Sequence, residues 1–255
     1  MKKRIASNVD NQEVLSLGKT VEGVFLKRPN RFLAMVEIPG AGRGKECEVH
    51  VHDPGRLKEL LVPGAKVLVK KVEDKGGKRK TKWDMLAAWY GDEKKDGGMW
   101  VLVHSGYHRA ISEWVLRGVA SPFGGVDEIK PEVQVGHSRL DFVLTEKGVM
   151  LGVEVKGCSL ARDGIALFPD APTERGRKHL ETLMGMKKEG LRAALLILVF
   201  RRDAECFYPN SERDPKFAKT FWDAVEIGVE VYPLKFSLEK GKIWYLGRIP
   251  VCGSI

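Results

Sequence analysis

Between Thr20 and Tyr90 the apolar residues come in short runs that favour β-structure: TVEGVFLK, FLAMVEI, ECEVHVH, KVLVKKVE and WDMLAAWY. Turn formers separate them at Pro29-Asn30, Pro39-Gly40-Ala41-Gly42, Asp53-Pro54-Gly55 and Lys75-Gly76-Gly77. Five short strands with one helical insert at Arg56 to Leu61 predict a small closed barrel of the OB type. Residues 91–98, GDEKKDGG, are polar, bounded by glycine and without apolar period, so the domain boundary is expected there. The chain thus divides into an OB-like domain over 1–90 with an N-terminal extension, a linker over 91–98, and a second domain over 99–255.

The second domain reads as mixed α/β. A helix from about Tyr107 to Arg117 puts Ile111, Trp114 and Val115 on one face and ends at Gly118. Strands are expected at Glu132 to Val135, Arg139 to Leu144 and Val149 to Val155. A second helix starts after the N-cap residue Thr173, turns Leu180, Leu183 and Met184 inward, and stops at Gly190. Ala193 to Phe200 is continuously apolar, which predicts a central strand covered on both faces.

Within this pattern one hairpin breaks its own rule. LDFVLTEKGVMLGVEVKG, Leu140 to Gly157, is mostly apolar yet carries Asp141, Glu154 and Lys156. A turn at Thr145 to Gly148 would place Leu144 opposite Val149 and Asp141 opposite Gly152, and period-two alternation would put Asp141, Gly152, Glu154 and Lys156 on one face. The glycine would leave room between two carboxylates. Carboxylates that close repel unless a cation lies between them, and Mg²⁺ or Mn²⁺ suits such a pair together with phosphate oxygens. Lys156 would then hold or polarise a nucleophile. The same residues also suit a plain cross-strand charge ladder, worth ~0.2 to 1 kcal/mol per pair.

Charge adds a partner class. Lys and Arg total 43 against 34 Asp and Glu, a net charge of +9, as polyanion binders show. Lys66, Lys70, Lys71, Lys75, Lys78, Arg79, Lys80 and Lys82 crowd one hairpin beside Trp83, which suits a groove that tracks phosphates and stacks a base. Lys27, Arg28, Arg31 and Phe32 form a second basic and aromatic group. On the second helix Arg175, Lys178, His179 and Thr182 lie opposite the apolar stripe, and Thr173 with Glu174 stands at the helix start, where free N–H groups favour anions.

Other features narrow the class. No run of ~18 uncharged apolar residues occurs, and Met1-Lys2-Lys3-Arg4 leads into polar sequence, so a soluble, cytoplasmic protein without a membrane partner is expected. Cys47, Cys158, Cys206 and Cys252 are widely spaced and read as structural thiols. His50 and His52 alternate on one strand, and His104 and His108 lie one helical turn apart. Neither pair has a third ligand nearby in sequence, so both read as structural.

Asp141, twelve residues, then Glu154-x-Lys156 resembles the PD-(D/E)XK nuclease signature, with Leu140 in place of the proline. The order helix, three strands, helix, strand matches that fold's core. In that fold the first helix often contributes an acidic residue, and the resemblance implies Glu113 for this role, as a further metal ligand.

FPDAPTERGRKHLETLM, Phe168 to Met184, together with RFLAMVEI, RLDF and EVKG, resembles the sugar fermentation stimulation protein A family over nearly the whole chain. His52-Asp53-Pro54-Gly55-Arg56 stands where many members have a Pro-Asn-Thr-Gly type of turn. The resemblance implies an OB-like barrel followed by a PD-(D/E)XK nuclease-like α/β domain, binding DNA with low sequence specificity. Two functions fit: a Mg²⁺- or Mn²⁺-dependent nuclease, or a non-catalytic DNA-binding regulator of sugar utilisation on an inherited nuclease scaffold. DNA, single- or double-stranded, is the expected partner, and RNA is the weaker alternative because OB barrels accept both.

Overall fold

The computed structural model describes residues 11–41, 46–73, 77, 79–93, 97–136 and 138–253. The chain opens with β1 (Gln12–Ser16), β2 (Val21–Asn30), β3 (Leu33–Glu37), β4 (Glu46–His50), β5 (Lys66–Lys71) and β6 (Trp83–Tyr90). Strands β2 to β6 occupy the five expected runs and pair in the order β4-β3-β2-β5-β6. A parallel contact, Val49 with Trp83 and His50 with Asp84, joins β4 to β6 and closes the barrel. Closure pairs the two outer strands of the barrel with each other. Val36, Val49, Val67, Val69 and Met85 fill the interior. The expected helical insert at Arg56 to Leu61 is only one turn, in which Leu60 and Leu61 donate to the Leu57 carbonyl, because Pro63 and Gly64 allow no continuation.

Strand β7 (Met99–Leu102) pairs with β6 from Tyr90↔Met99 to Ala87↔Leu102, so residues 91–98 form a hairpin connection, of which 94–96 lie outside the described residues. After a short 3-10 turn, Ser105–Tyr107, come α1 (His108–Arg117), β8 (Glu128–Val135), β9 (Ser138–Glu146) and β10 (Val149–Cys158). Two short strands, β11 (Ala161–Arg162) and β12 (Ile165–Phe168), lead to α2 (Glu174–Lys188), which Thr173 caps by accepting from Gly176 N at 3.0 Å. The chain ends with β13 (Arg192–Val199), β14 (Cys206–Pro209), α3 (Pro215–Ile227), β15 (Glu230–Glu239) and β16 (Lys242–Arg248). The expected helix, three strands, helix, strand order is present.

Strand β13 lies between β10 and β15, parallel to both, and every side chain from Ala193 to Val199 is buried. Parallel neighbours need crossover helices, and α2 and α3 pack over one face of the sheet with Leu180, Leu183, Met186, Phe217 and Phe221. On the other face Ile111 and Val115 of α1 merge with the barrel core. Strand β1 pairs with β16, so the N-terminal extension joins the C-terminal sheet. Strand β7 meets β15 at Trp100↔Leu238, which makes barrel and α/β sheet one continuous hydrogen-bonded surface.

The thiol expectation fails for two cysteines: Cys206 and Cys252 form a disulfide, brought together where Phe207 bridges Val251. Among the described residues no helix is long and apolar enough to cross a membrane.

Candidate active site

The β9–β10 hairpin closes tighter than the hydrophobic pattern suggests. Val149 faces Glu146 and Leu151 faces Leu144, so Gly152 lies opposite Val143 rather than Asp141. Lys147 and Gly148 both adopt positive φ, which supports a two-residue turn where four residues were expected. The register differs by two, and a shift of two preserves faces. Gly152 serves a different purpose from the expected one. A Cβ there would lie 2.5 Å from Met186 Sδ and 2.9 Å from Leu140 Cδ1, so the missing side chain lets α2 sit on the strand.

That close approach of α2 builds the buried half of the site. Glu154 is 1% exposed, and its Oε1 receives both the Lys156 ammonium and His179 Nδ1. His179 was expected on the outward, nucleic-acid face of α2. It points inward instead, because helical spacing places it beside Leu180 and Leu183 rather than opposite them. Arg175 Nε donates to His179 Nε2 at 3.3 Å, which leaves the proton on Nδ1 to be donated to Glu154. Burial pushes the Glu154 carboxyl upward, but the hydrogen bond from His179 and the charge of the Lys156 ammonium outweigh it and hold the group below the ordinary carboxylate range. The second oxygen, Glu154 Oε2, is buried and has no hydrogen-bond partner.

Asp141 stands where two ladders are interrupted. The β9–β10 pairing ends at Phe142↔Val153, one step short of it, which frees Val155 N–H to donate to Asp141 Oδ2 at 2.7 Å. On its other side the β8–β9 ladder runs through Pro131↔Phe142 and Val133↔Leu140 but skips Glu132 and Asp141, and Glu132 has a left-handed φ of 53°. Side-chain packing changes sides here: Leu140 joins the core under α2, whereas Phe142 and Leu144 join the opposite one. A non-glycine residue in this conformation carries backbone strain, of the kind that collects at functional sites. The distortion opens Asp141 to a cavity of about 200 Å³ that it shares with Ser105, His108, Arg109, Ser112 and Glu132. Burial first, then the charge of Glu154, raises the Asp141 carboxyl above its usual range.

Glu113 does not reach this cavity. It pairs with Arg109 at 3.1 Å and lines a separate groove beside Trp114 and Leu15, whereas Glu132 supplies the further carboxylate near Asp141. One helical turn of α1 presents His108, Arg109 and Ser112 toward Asp141, and Glu113 falls on the next face. His108 is half-buried, stacks on Phe200, and occupies space that a Cβ on Gly157 would take. Burial first, then His104 and Lys156, lowers its imidazole to about 4. The sequence signal for these residues was weak: a glutamate after Pro131 inside a strand, and a histidine one turn beyond His104.

A second cleft of about 480 Å³ lies between barrel and α/β domain, lined by Arg31, Asp53, Gly157, Asp170, Thr173 and Arg175 among others. Asp170 Oδ2 accepts from the backbone N–H groups of Arg56 and Leu57, and Gly55 lacks the Cβ that would strike it at 2.6 Å. Arg31 stacks over Phe32, which is 48% exposed and lies parallel to His50. Arg28 is a correction. Its guanidinium donates to the carbonyls of Gly55, Arg56, Arg31 and Asp53, so its hydrogen-bonding capacity goes to holding this loop rather than to a nucleic acid.

The other basic candidates divide similarly. Arg79 pairs with Asp84, Lys27 with Glu46 at 3.6 Å, and Lys178 with Glu174 at 2.9 Å on the outer face of α2. Lys80 and Lys82 are exposed, and Trp83 is half-buried against the barrel core. Lys78 lies outside the described residues.

Residues 26–103 match the SfsA N-terminal OB domain, and residues 106–242 match the sugar fermentation stimulation protein RE domain. The sugar fermentation stimulation protein homologue of Methanococcoides burtonii is 44% identical over 248 residues, covering 96% of this chain and 97% of that protein. The homologue of Sulfurisphaera tokodaii is 44% identical over 242 residues, 95% of each. The solved structure of Pyrococcus furiosus SfsA in complex with Ca²⁺ aligns at a TM-score of 0.83 and 27% identity, over 94% of this chain and 99% of that one. With both domain models matched in order and full-length relatives at this identity, the chain belongs to the SfsA family.

Proposed function

We propose that this protein is a divalent-metal-dependent nuclease that hydrolyses phosphodiester bonds of DNA. The observation that carries the reading is Glu154 Oε2, a buried carboxylate oxygen without a partner, close to the half-buried Asp141 carboxylate, which burial and then the Glu154 charge push toward protonation. An orphaned anionic oxygen in such a place costs free energy that a cation would remove. Asp141 and Glu154 would hold Mg²⁺ or Mn²⁺, a hard ion suited to an all-oxygen donor set. The Ca²⁺ complex of the Pyrococcus furiosus relative supports a site for such an ion in this family. When bound, the ion supplies Lewis-acid stabilisation to charge developing on a phosphate.

The remaining chemistry belongs to the chain itself. Lys156, 16% exposed and anchored on Glu154 Oε1, presents an ammonium that positions the attacking water and offsets negative charge in the transition state. His179 fixes the Glu154 carboxylate, and Arg175 fixes the tautomer of His179, so the Oε2 lone pairs keep one direction. Thr173 and Arg175 at the start of α2 line the interdomain cleft, where the positive helix end favours phosphate. Arg31, Phe32, Lys80, Lys82 and Trp83 offer the barrel's charge and stacking surface for the strand. A regulator that only binds DNA has no use for a buried and a half-buried carboxylate side by side, which repel phosphate unless neutralised.

The test is cleavage of plasmid, linear duplex, single-stranded DNA and RNA with Mg²⁺, Mn²⁺ or EDTA, running wild type beside Glu154→Ala and Lys156→Ala. Metal-dependent cutting of DNA that disappears in both variants is the expected result. Equal DNA binding by all three with no cutting of any substrate would establish the non-catalytic regulator instead, and cutting confined to RNA would reassign the substrate.

A further inference from the structure

A second polar cluster lies at the barrel seam, outside the carboxylate site. His52 follows β4, Asp84 lies in β6 and His104 follows β7; these stretches are far apart in sequence, and neither histidine pair had a third ligand nearby. Barrel closure sets His50 opposite Asp84, and the β6–β7 hairpin then delivers His104 to the same spot. His52 Nε2 lies 3.3 Å and His104 Nε2 4.0 Å from the same oxygen, Asp84 Oδ2, and one ligand atom from each residue falls within 4.8 Å of the others. The two imidazoles stack with centroids 3.8 Å apart at 27°, so their nitrogens project in company.

An ordinary hydrogen-bond network leaves this arrangement incomplete. His52 Nε2 is buried without a hydrogen-bond partner despite its approach to Asp84. Asp84 uses its other oxygen, Oδ1, for Arg79, which holds the carboxylate so that Oδ2 stays turned toward the two rings. The Asp84 and His104 side chains are 12% and 11% exposed, whereas the His52 side chain is 28% exposed and marks a route in from solvent.

We propose that His52, Asp84 and His104 form a binding site for one Zn²⁺-class ion. Two imidazoles and a carboxylate are the donor set of such borderline ions, whereas Mg²⁺ and Ca²⁺ prefer oxygen alone. Tetrahedral bonds of about 2.0 to 2.2 Å set ligand atoms about 3.3 to 3.6 Å apart, a spacing the His52–Asp84 approach already meets and toward which the other ligand atoms, all within 4.8 Å of one another, would close. The fourth position is open to water or an exogenous ligand. The site fastens the barrel seam to the segment entering α1: Ser105, next to His104, donates to the His52 carbonyl at 2.8 Å and also lines the Asp141 cavity.

The test is a Co²⁺ titration of untagged, EDTA-stripped protein in excess Mg²⁺, which keeps the carboxylate site occupied. Co²⁺ bound to oxygens alone absorbs weakly, whereas a four- or five-coordinate site with two imidazoles gives intense visible bands. One equivalent per chain, displaced by Zn²⁺ and not by Mg²⁺, is expected, together with a Zn²⁺-dependent rise in Tm. The spectrum should vanish in Asp84→Asn and in the His52→Asn, His104→Asn double variant. Wild-type protein that gives no intense bands overturns the proposal whatever the variants do, and so does a spectrum that persists in folded variants. Neither result bears on whether the carboxylate site cleaves DNA.

Discussion

The two polar clusters differ in how they are assembled. Asp141, Glu154 and Lys156 come from one hairpin, so chemistry and spacing appear together within sixteen residues of sequence. His52, Asp84 and His104 come from three stretches joined only by barrel closure and the β6–β7 hairpin. The first cluster buries Glu154 under α2 at 1% exposure and leaves Asp141 and Lys156 half-buried, while the second keeps one ligand partly open. Burial of a carboxylate demands compensation, and Glu154 has it on one oxygen only. Local spacing makes a site readable, and depth makes its chemistry demanding.

The sharpest way to break this comparison is Glu154→Gln, which keeps volume and removes charge. Cleavage should fall by on the order of 10³-fold, and Lys156→Ala by about 10² to 10³-fold, as measured by single-turnover kinetics on DNA. If Glu154→Gln cuts normally, the buried oxygen is structural.

Next is the covalent clasp. Cys206 and Cys252 close a loop with a sequence separation of 46, so their replacement by serine should lower unfolding free energy by about 4 kcal/mol in the chain-entropy view, read from denaturant curves. An unchanged midpoint would mean that the reduced chain is held equally well without the bond.

His108 tests the boundary between the clusters. Its imidazole is held to about 4 against an ordinary 6.5, so the unfolded chain binds the extra proton between these values. The group's contribution to stability is therefore present above pH 6.5, declines as pH falls, and is gone below about 4, with a slope approaching 1.4 kcal/mol per pH unit. His108→Asn should flatten this part of the stability–pH curve.

Smaller effects separate binding from scaffolding on the barrel. Arg28→Lys gives up the fork that reaches four carbonyls and should cost about 1 to 3 kcal/mol of stability while leaving the salt dependence of DNA binding unchanged. Phe32→Ala should do the reverse, weakening single-strand binding by about 1 to 3 kcal/mol with little change in Tm. Interchanged outcomes would return Arg28 to the nucleic-acid surface.

Periodicity and turn chemistry were enough to read the five barrel strands, the helix, three strands, helix, strand order, the Thr173 cap and the carboxylate hairpin, because each depends on neighbours within a few residues. Tertiary structure decided where those pieces met. A two-residue turn set the register and gave Gly152 to Met186; packing of α2 turned His179 onto Glu154; the face of α1 excluded Glu113 and admitted His108. Four carbonyls from a folded loop claimed Arg28, and barrel closure gathered His52, Asp84 and His104. Sequence encodes which residues can bury and which can bond, but the distance between groups far apart along the chain is set only when sheets close and helices pack.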